Sequence, residues 1–204
     1  MFFTFVVAPL LIILSYLIGS IPTAYVVVRA LCGIDIRTIG SGNVGTTNTS
    51  RVAGMKGTVI VFIIDILKGV IPAYIGLCVH SREFGLLLGV CAILGHQFPV
   101  WLQFRGGKGA ATCFGMLLML SPIPSLLAIG VWVLVTLLTR YVSLATFAAV
   151  IMAEISILLA AYSVFYKLGM TAILIFIVYK HRDNIKRLLS GTELKVGKKM
   201  PGIK

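Results

Sequence analysis

Long apolar runs constrain this chain most, because a soluble fold would have no aqueous surface on which to place them. Three of them cover residues 3–28, 57–79 and 84–102. Runs of about 18 or more apolar residues are typical of transmembrane helices, since the hydrocarbon core of a bilayer is about 30 Å thick. The chain is 59% hydrophobic, whereas soluble domains are about 45–50% apolar. We therefore predict an all-α membrane protein.

The boundaries of the apolar runs predict a bundle of seven transmembrane helices. They are expected at residues 3–28, 57–79, 84–102, 110–120, 125–139, 143–162 and 167–179. The fourth and fifth helices share one apolar stretch, which the segment 121–125 (Ser-Pro-Ile-Pro-Ser) interrupts. Because two closely spaced prolines disfavour a continuous helix, this segment is predicted to form a tight hairpin.

The distribution of charge supports the number of helices and orients them. The chain has 18 Lys+Arg against 6 Asp+Glu, and basic residues are typical of the cytoplasmic loops of membrane proteins. With seven helices, the opposite side carries only Arg82 and Lys167. Merging helices four and five would place Arg140 and the basic C-terminal segment outside. We therefore expect the N-terminus outside and the C-terminus in the cytoplasm.

The net charge of +12 would suggest a nucleic-acid partner in a soluble protein. Here the membrane topology accounts for the charge, so no nucleic acid is expected as a partner. Two regions are predicted, a single seven-helix membrane domain at 1–190 and a basic cytoplasmic tail at 191–204. The tail is expected to be a mobile end near anionic lipid head groups.

The first loop is rich in residues that bind anions. Its segment 40–48 reads Gly-Ser-Gly-Asn-Val-Gly-Thr-Thr-Asn, and Arg51 follows. Glycines let the backbone turn so that successive N–H groups point at one anion, and hydroxyl and amide side chains add donors. Arginine can hold a phosphate through two hydrogen bonds. A plain polar turn needs far fewer such residues, so the loop is interpreted as a phosphate site.

The third loop contains a second candidate, the segment 104–109, Phe-Arg-Gly-Gly-Lys-Gly. Glycines around Lys108 can form a phosphate cradle with a point charge, although a basic turn that only fixes the topology fits equally well. The spacing is not that of a nucleotide-binding P-loop. His96, just before this loop, is interpreted as a structural residue.

Polar residues elsewhere suggest both structural and functional roles. Asp65 and Lys68 lie on one helical face and are predicted to form an ion pair that braces the helices. After the last span, His181 and Asn184 share a face and are candidate site groups, because histidine exchanges protons near neutral pH. Glu154 requires a buried partner in a membrane helix, which the sequence does not identify.

In their order along the chain, these segments resemble the bacterial acyl-phosphate-dependent glycerol-3-phosphate acyltransferases, the PlsY type. The family patterns GSGNxGATN with a following arginine, DxxKG, GHxFPxFLxFKGGKGVAT and HRxNIxRLLxGxE match residues 40–51, 65–69, 95–112 and 181–193. Residues 140–144 resemble a further short motif. Thr46, Trp101, Arg105 and Ala110 are mild departures from these patterns.

The resemblance implies seven transmembrane helices in the bacterial inner membrane and an active site on the cytoplasmic side. It implies transfer of a fatty acyl group from acyl phosphate to the 1-hydroxyl of glycerol 3-phosphate. The products would be lysophosphatidic acid and phosphate, in the first acylation of phospholipid biosynthesis. Membrane lipids and the soluble enzyme that makes acyl phosphate are the implied partners, and we expect neither a cofactor nor a metal ion.

The loop chemistry and the resemblance together assign roles to residues, which are expected to converge in one pocket. The predicted catalytic groups are Ser41, Lys108, His181 and Asn184. The predicted phosphate-binding groups are Gly42, Asn43, Asn48, Arg51, Gly106, Gly107 and Ser143. The residues predicted to orient the site are Asp65, Lys68 and His96.

Acyl phosphate has a good leaving group, so direct attack without an acyl-enzyme is expected, with positioning and charge stabilisation as the main sources of catalysis. The general base stays open between His181 and the phosphate of the donor. Two other functions are considered, a transporter for a phosphorylated solute and a non-catalytic scaffold in lipid synthesis. The short, nearly uncharged outer loops argue against the first, and the glycine-lysine segments argue against the second.

Overall fold

The computed structural model describes the backbone of residues 3–196 and the side chains of residues 5–196. Within this range the chain forms helices and no strand. The helices are α1 (Ala8–Ser20), α2 (Thr23–Cys32), α3 (Thr46–Val52), α4 (Gly54–Val79), α5 (Arg82–Gln97), α6 (Ala110–Leu120), α7 (Pro122–Thr139), α8 (Val142–Leu159), α9 (Val164–Lys180) and α10 (Arg182–Leu189). A π-helical turn and two 3₁₀ turns occupy Phe3–Val7, Ile36–Thr38 and Val100–Leu102.

Five helical segments within the described residues are long and apolar enough to cross a bilayer. They are Phe5–Cys32, Gly54–Val79, Arg82–Leu102, Pro122–Thr139 and Val142–Leu159. The pair α9 and α10, bent by 53°, would be a sixth, whereas the apolar helix α6 is shorter. These lengths fit an integral membrane protein. The seventh span and the orientation of the termini stay predictions.

The helices fall into two compact units, residues 3–120 and residues 121–196. In the first unit α1 packs on α5, and α4 packs on both α5 and α6. The backbones approach closely where glycines lie, since a Cβ added to Gly69 or Gly19 would collide with the carbonyls of Thr112 and Ala92. Small residues allow such close packing between membrane helices.

The first predicted span, 3–28, is interrupted within the first unit. Helix α1 ends at Ser20 and α2 begins at Thr23, with Ile21 and Pro22 between them. The interruption has a physical cause, because Pro22 has no N–H to donate an intrahelical hydrogen bond. Between the two helices, the carbonyl of Ile21 accepts hydrogen bonds from the Thr23 N–H at 2.9 Å and from Lys68 Nζ at 2.6 Å.

In the second unit α7 packs on α8, and α8 contacts α9. The segment 121–125 differs from the prediction, because only Ser121 separates α6 from α7. Pro122 and Pro124 lie in the first turn of α7, where a missing N–H has no intrahelical partner to lose. Glu154 has the partner that the sequence could not identify, the hydroxyl of Thr171 at 2.5 Å.

The predicted basic tail at 191–204 is anchored where it begins. The Val196 N–H donates to the Arg140 carbonyl at 2.8 Å, and Lys195 Nζ lies 5.2 Å from the centre of the Tyr141 ring. Residues 191–196 are therefore held against the start of α8, which corrects the expectation of a mobile end for this part. The rest of the predicted tail, 197–204, lies outside the described residues.

Candidate active site

The first loop is organised around one buried amide, that of Asn48. Its Oδ1 accepts from the Ser41 N–H at 3.1 Å, and its Nδ2 donates to the carbonyls of Ile36 and Ile39 at 3.2 and 2.9 Å. A Cβ at Gly40 would collide with this amide. Asn48, predicted to bind phosphate, is instead engaged with the backbone in this conformation and holds the loop in shape.

The N–H groups of the first loop also differ from the predicted anion cradle. The Gly42 N–H donates to the Ile39 carbonyl at 3.1 Å, and Gly42 itself has a φ of 67°. The side-chain candidates for binding a ligand here are the exposed Ser41, the half-buried Asn43 and the guanidinium of Arg51 in α3. Only 8% of Arg51 is exposed, so this guanidinium is held within the unit.

The third loop folds back on the end of α5. The Gly107 N–H donates to the His96 carbonyl at 3.1 Å, and the Gly106 N–H donates to the Gln97 carbonyl at 3.2 Å. The expected cradle of glycine N–H groups is therefore not present at these two positions, because both donors are engaged within the protein. Lys108, half-buried, follows directly and is the cation of this turn.

Gly107 also brings the first and third loops together. A Cβ at this position would lie 2.7 Å from the Val44 carbonyl oxygen of the first loop and would collide with Nε2 of His96. A cleft in the same unit is lined by both loops and by the interruption between α1 and α2, including Thr23, Val44, His96 and Gly106. These two loops, which are distant in sequence, therefore meet within the first unit.

A buried charged group lies behind the third loop. The predicted ion pair is present, with Lys68 Nζ 2.7 Å from Asp65 Oδ1, and the two residues are 3% and 1% exposed. His96 Nδ1 lies 3.7 Å from the same carboxylate oxygen. Because the opposite edge of the His96 ring faces Gly107, the chain of contacts runs from the ion pair to the turn that carries Lys108.

In the second unit, Glu193 gathers two of the predicted site residues. Its Oε1 accepts from Ser143 Oγ at 2.8 Å and from Asn184 Nδ2 at 2.7 Å. Its Oε2 accepts from Arg187 Nε at 2.6 Å. Sequence reasoning did not single out Glu193, although a carboxylate within a basic segment was a signal. The cluster shows that Ser143, Asn184 and Arg187 can together hold an oxyanion.

The cluster sets the protonation of its carboxylate. Burial raises the pKa of Glu193, but the hydrogen bonds from Asn184, Arg187 and Ser143 outweigh it, so the pKa lies below its ordinary value. The hydrogen bonds favour the charged form of the carboxyl group. Glu193 is therefore an anion at neutral pH, and the three donors are oriented by a full negative charge.

His181 lies at the junction of α9 and α10 and is 6% exposed. Its Nδ1 is 2.8 Å from the Ile177 carbonyl oxygen, and its ring meets the edge of the Phe147 ring at 5.8 Å. Because a carbonyl only accepts, Nδ1 carries the proton. In the neutral ring Nε2 is then the nitrogen that can accept a proton.

Comparison with known proteins identifies the family. Residues 9–191 match the family described as glycerol-3-phosphate acyltransferase. The chain belongs to the glycerol-3-phosphate acyltransferase family. It is accordingly an integral membrane acyltransferase. Within residues 3–196, no three His, Cys, Asp or Glu side chains are grouped as metal ligands.

Relatives and solved structures of the family agree over nearly the whole chain. The glycerol-3-phosphate acyltransferase of Endomicrobium trichonymphae is 43% identical over 92% of this chain and 94% of its own. That of Bacillus subtilis (strain 168) is 41% identical over 92% and 96%. The crystal structure of PlsY in its glycerol 3-phosphate form has a TM-score of 0.89 and 41% identity, covering 93% and 96%. Its lysophosphatidic acid form has a TM-score of 0.86 and 40% identity, covering 93% and 95%.

Proposed function

We propose that this acyltransferase takes its acyl group from acyl phosphate and transfers it to the 1-hydroxyl of glycerol 3-phosphate. The products are lysophosphatidic acid and inorganic phosphate. The contact between the first and third loops at Val44 and Gly107 carries this proposal, because it brings Ser41 and Asn43 into the same unit as Lys108. The two ligands named for the solved forms of PlsY also support it.

The roles of the residues follow from their chemistry. Ser41, Asn43 and Lys108 offer a hydroxyl, an amide and an ammonium group for the phosphate of the donor. Ser143, His181 and Asn184 bind the phosphate of glycerol 3-phosphate, and the Glu193 cluster supports the ability of Ser143 and Asn184 to hold an oxyanion. Arg51 supplies a further cation. In this proposal, the positive charges of Lys108 and Arg51 offset the repulsion between two anionic substrates.

The reaction is a direct displacement at the acyl carbonyl. The 1-hydroxyl oxygen forms the new C–O ester bond while the C–O bond to phosphate breaks, and the electron pair leaves with the phosphate. The hydroxyl proton passes either to Nε2 of His181 or to an oxygen of the departing phosphate. The kcat of His181→Gln at saturating glycerol 3-phosphate distinguishes the two acceptors, since loss of a true base costs about 10²–10⁴-fold in rate even when the substrate is bound.

The membrane arrangement is part of the proposal. Seven spans form one membrane domain at 1–190, with the N-terminus outside, the C-terminus in the cytoplasm and the site on the cytoplasmic side of the bacterial inner membrane. The charge distribution supports this, because Lys and Arg concentrate in the odd-numbered loops and the C-terminal segment. The soluble enzyme that makes acyl phosphate is the proposed partner on that side.

The proposal is tested with the purified full-length protein in detergent, by measuring phosphate release from acyl phosphate and formation of acylated glycerol 3-phosphate. Acyl phosphate should support turnover, and acyl-CoA and acyl carrier protein should not. Lys108→Met should lower kcat/KM by about 100-fold or more, whereas Lys56→Met, which removes an exposed cation of α4, should not. Turnover with acyl-CoA alone would reject the proposed donor.

A further inference from the structure

Gln97, the last residue of α5, is a completely buried amide, with 0% of the residue exposed. The side-chain Nε2 of Gln97 donates to the Lys108 carbonyl at 2.8 Å. The backbone carbonyl of Gln97 accepts from the Gly106 N–H at 3.2 Å. One residue therefore holds both ends of the three-residue turn 106–108. The orientation of the amide follows from its partner, because an oxygen in the place of Nε2 would repel the carbonyl.

The backbone around this amide has little freedom to move. Gly109 has a φ of 80°, and a Cβ there would lie 2.9 Å from Gln97 Nε2 and 3.0 Å from Cγ2 of Ile93. Helix α6 begins at the next residue, Ala110. The amide thus lies against the chain where the turn becomes a helix, and it determines how the Lys108 backbone is held.

The buried side-chain amide of Gln97 lowers the stability of the folded protein. Gln97 Oε1 is buried and has no hydrogen-bond partner among the residues that the structure describes. A buried acceptor without a partner costs free energy, and an apolar side chain of similar size would avoid that cost. Stability alone therefore favours leucine at this position. What glutamine adds is the bond from Nε2 to the Lys108 carbonyl.

We infer that Gln97 is a positioning residue for Lys108, which it holds by the backbone so that the ammonium group is presented to the phosphate of the substrate. This inference rests on the proposed role of Lys108 in phosphate binding. A lysine side chain has many rotamers, and fixing its backbone reduces the ordering that substrate binding would otherwise require. Gln97 acts through Lys108 and makes no contact with substrate.

The test compares Gln97→Leu with the wild type in detergent, by phosphate release and by thermal unfolding. Loss of one positioning bond should lower kcat/KM by about tenfold, while the Tm stays the same or rises. The matched control is Thr112→Val, which removes a buried hydroxyl that likewise has no described partner, near the same turn. It should leave kcat/KM within about twofold. A residue with only a structural role would lose activity and Tm together.

A binding measurement determines whether Gln97 acts through Lys108. The probe is a long-chain acyl phosphonate, which cannot transfer its acyl group, titrated into the full-length protein. Gln97→Leu should weaken its binding about tenfold when Lys108 is present and leave it unchanged in the Lys108→Met background. Equal weakening in both backgrounds, or unchanged kcat/KM in Gln97→Leu, would overturn the inference. Absence of phosphate release by the wild type would instead reject the proposed function.

Discussion

The turn 106–108 in the first unit and the Glu193 cluster in the second hold their groups in place by different forces. The turn uses uncharged hydrogen bonds, from the N–H groups of Gly106 and Gly107 to carbonyls of α5, and it has no room for added atoms. The cluster uses a single anion, which gathers Ser143, Asn184 and Arg187. The turn should therefore respond to side-chain volume, and the cluster should respond to charge and pH.

The largest expected effect on activity follows from adding one methyl group to the turn. In Gly107→Ala the Cβ would collide with His96 Nε2 and would lie 2.7 Å from the Val44 carbonyl oxygen. The first and third loops must then separate. Because displacement of a catalytic group by about 1 Å can cost about 100-fold, kcat/KM for phosphate release should fall by roughly that factor.

The matched control for this change is Gly130→Ala in α7. A Cβ at Gly130 has nothing within 4 Å and its φ is not in the left-handed region, so the helix should gain about 0.5–1 kcal/mol. The kcat/KM of Gly130→Ala should equal that of the wild type. If Gly107→Ala were as active as Gly130→Ala, close packing would not define the turn.

The next prediction concerns the stability that the buried ion pair of Asp65 and Lys68, behind the turn, contributes to the fold. Lys68→Met would leave the Asp65 carboxylate, 1% exposed, without its cation, and would remove one of the two donors to the Ile21 carbonyl. Breaking a buried ion pair by removing one partner costs about 3–5 kcal/mol. Denaturant-induced unfolding in detergent micelles should show this loss.

Asp65→Asn with Lys68→Met provides the control, because it removes both charges together. The double variant should recover a large part of the lost stability, since no unpaired buried charge remains. A double variant that is no more stable than Lys68→Met would show that the cost is not electrostatic.

The smallest effect concerns the anion of the second unit. Glu193→Gln removes the charge that Asn184, Ser143 and Arg187 share, at a cost of about 1–3 kcal/mol in holding residues 193–196. Hydrogen exchange at the Val196 N–H, which donates to the Arg140 carbonyl, should become about tenfold faster. The control is Asp183→Asn, an exposed carboxylate of α10, which should leave that exchange unchanged.

The same cluster predicts a dependence on pH. Because the pKa of Glu193 is lowered in the folded protein, its contribution is fully present above the ordinary carboxylate pKa of about 4.3. That contribution is lost as the pH falls through the lowered pKa. The protection of the Val196 N–H, measured relative to its intrinsic exchange rate at each pH, should therefore fall on acidification in the wild type and lose this dependence in Glu193→Gln. A wild type that behaves like the variant at every pH would contradict a charged Glu193.

Local patterns allowed a large part of the fold to be predicted. The run 110–120 coincides with α6, and the spacing of Asp65 and Lys68 led to the ion pair that the structure contains. Prediction was less accurate where proline has opposite effects in different contexts. Pro22 ends the ladder between α1 and α2, whereas Pro122 begins α7. A hydropathy pattern treats the two prolines alike, but only one lies where an intrahelical hydrogen bond is lost.

The sequence by itself determined that the chain enters a membrane and carries phosphate-binding residue types in its loops, because hydropathy and residue chemistry are properties of short segments. Only the tertiary structure decided which of those groups are engaged within the protein. Asn48, Gly106 and Gly107 are engaged by backbone groups, and the hydrogen bonds of Glu193 and Gln97 gave these two residues roles that the sequence analysis had not assigned. A hydrogen bond forms only when donor and acceptor lie about 3 Å apart. Residues that are distant in sequence reach that separation only through the three-dimensional course of the folded chain.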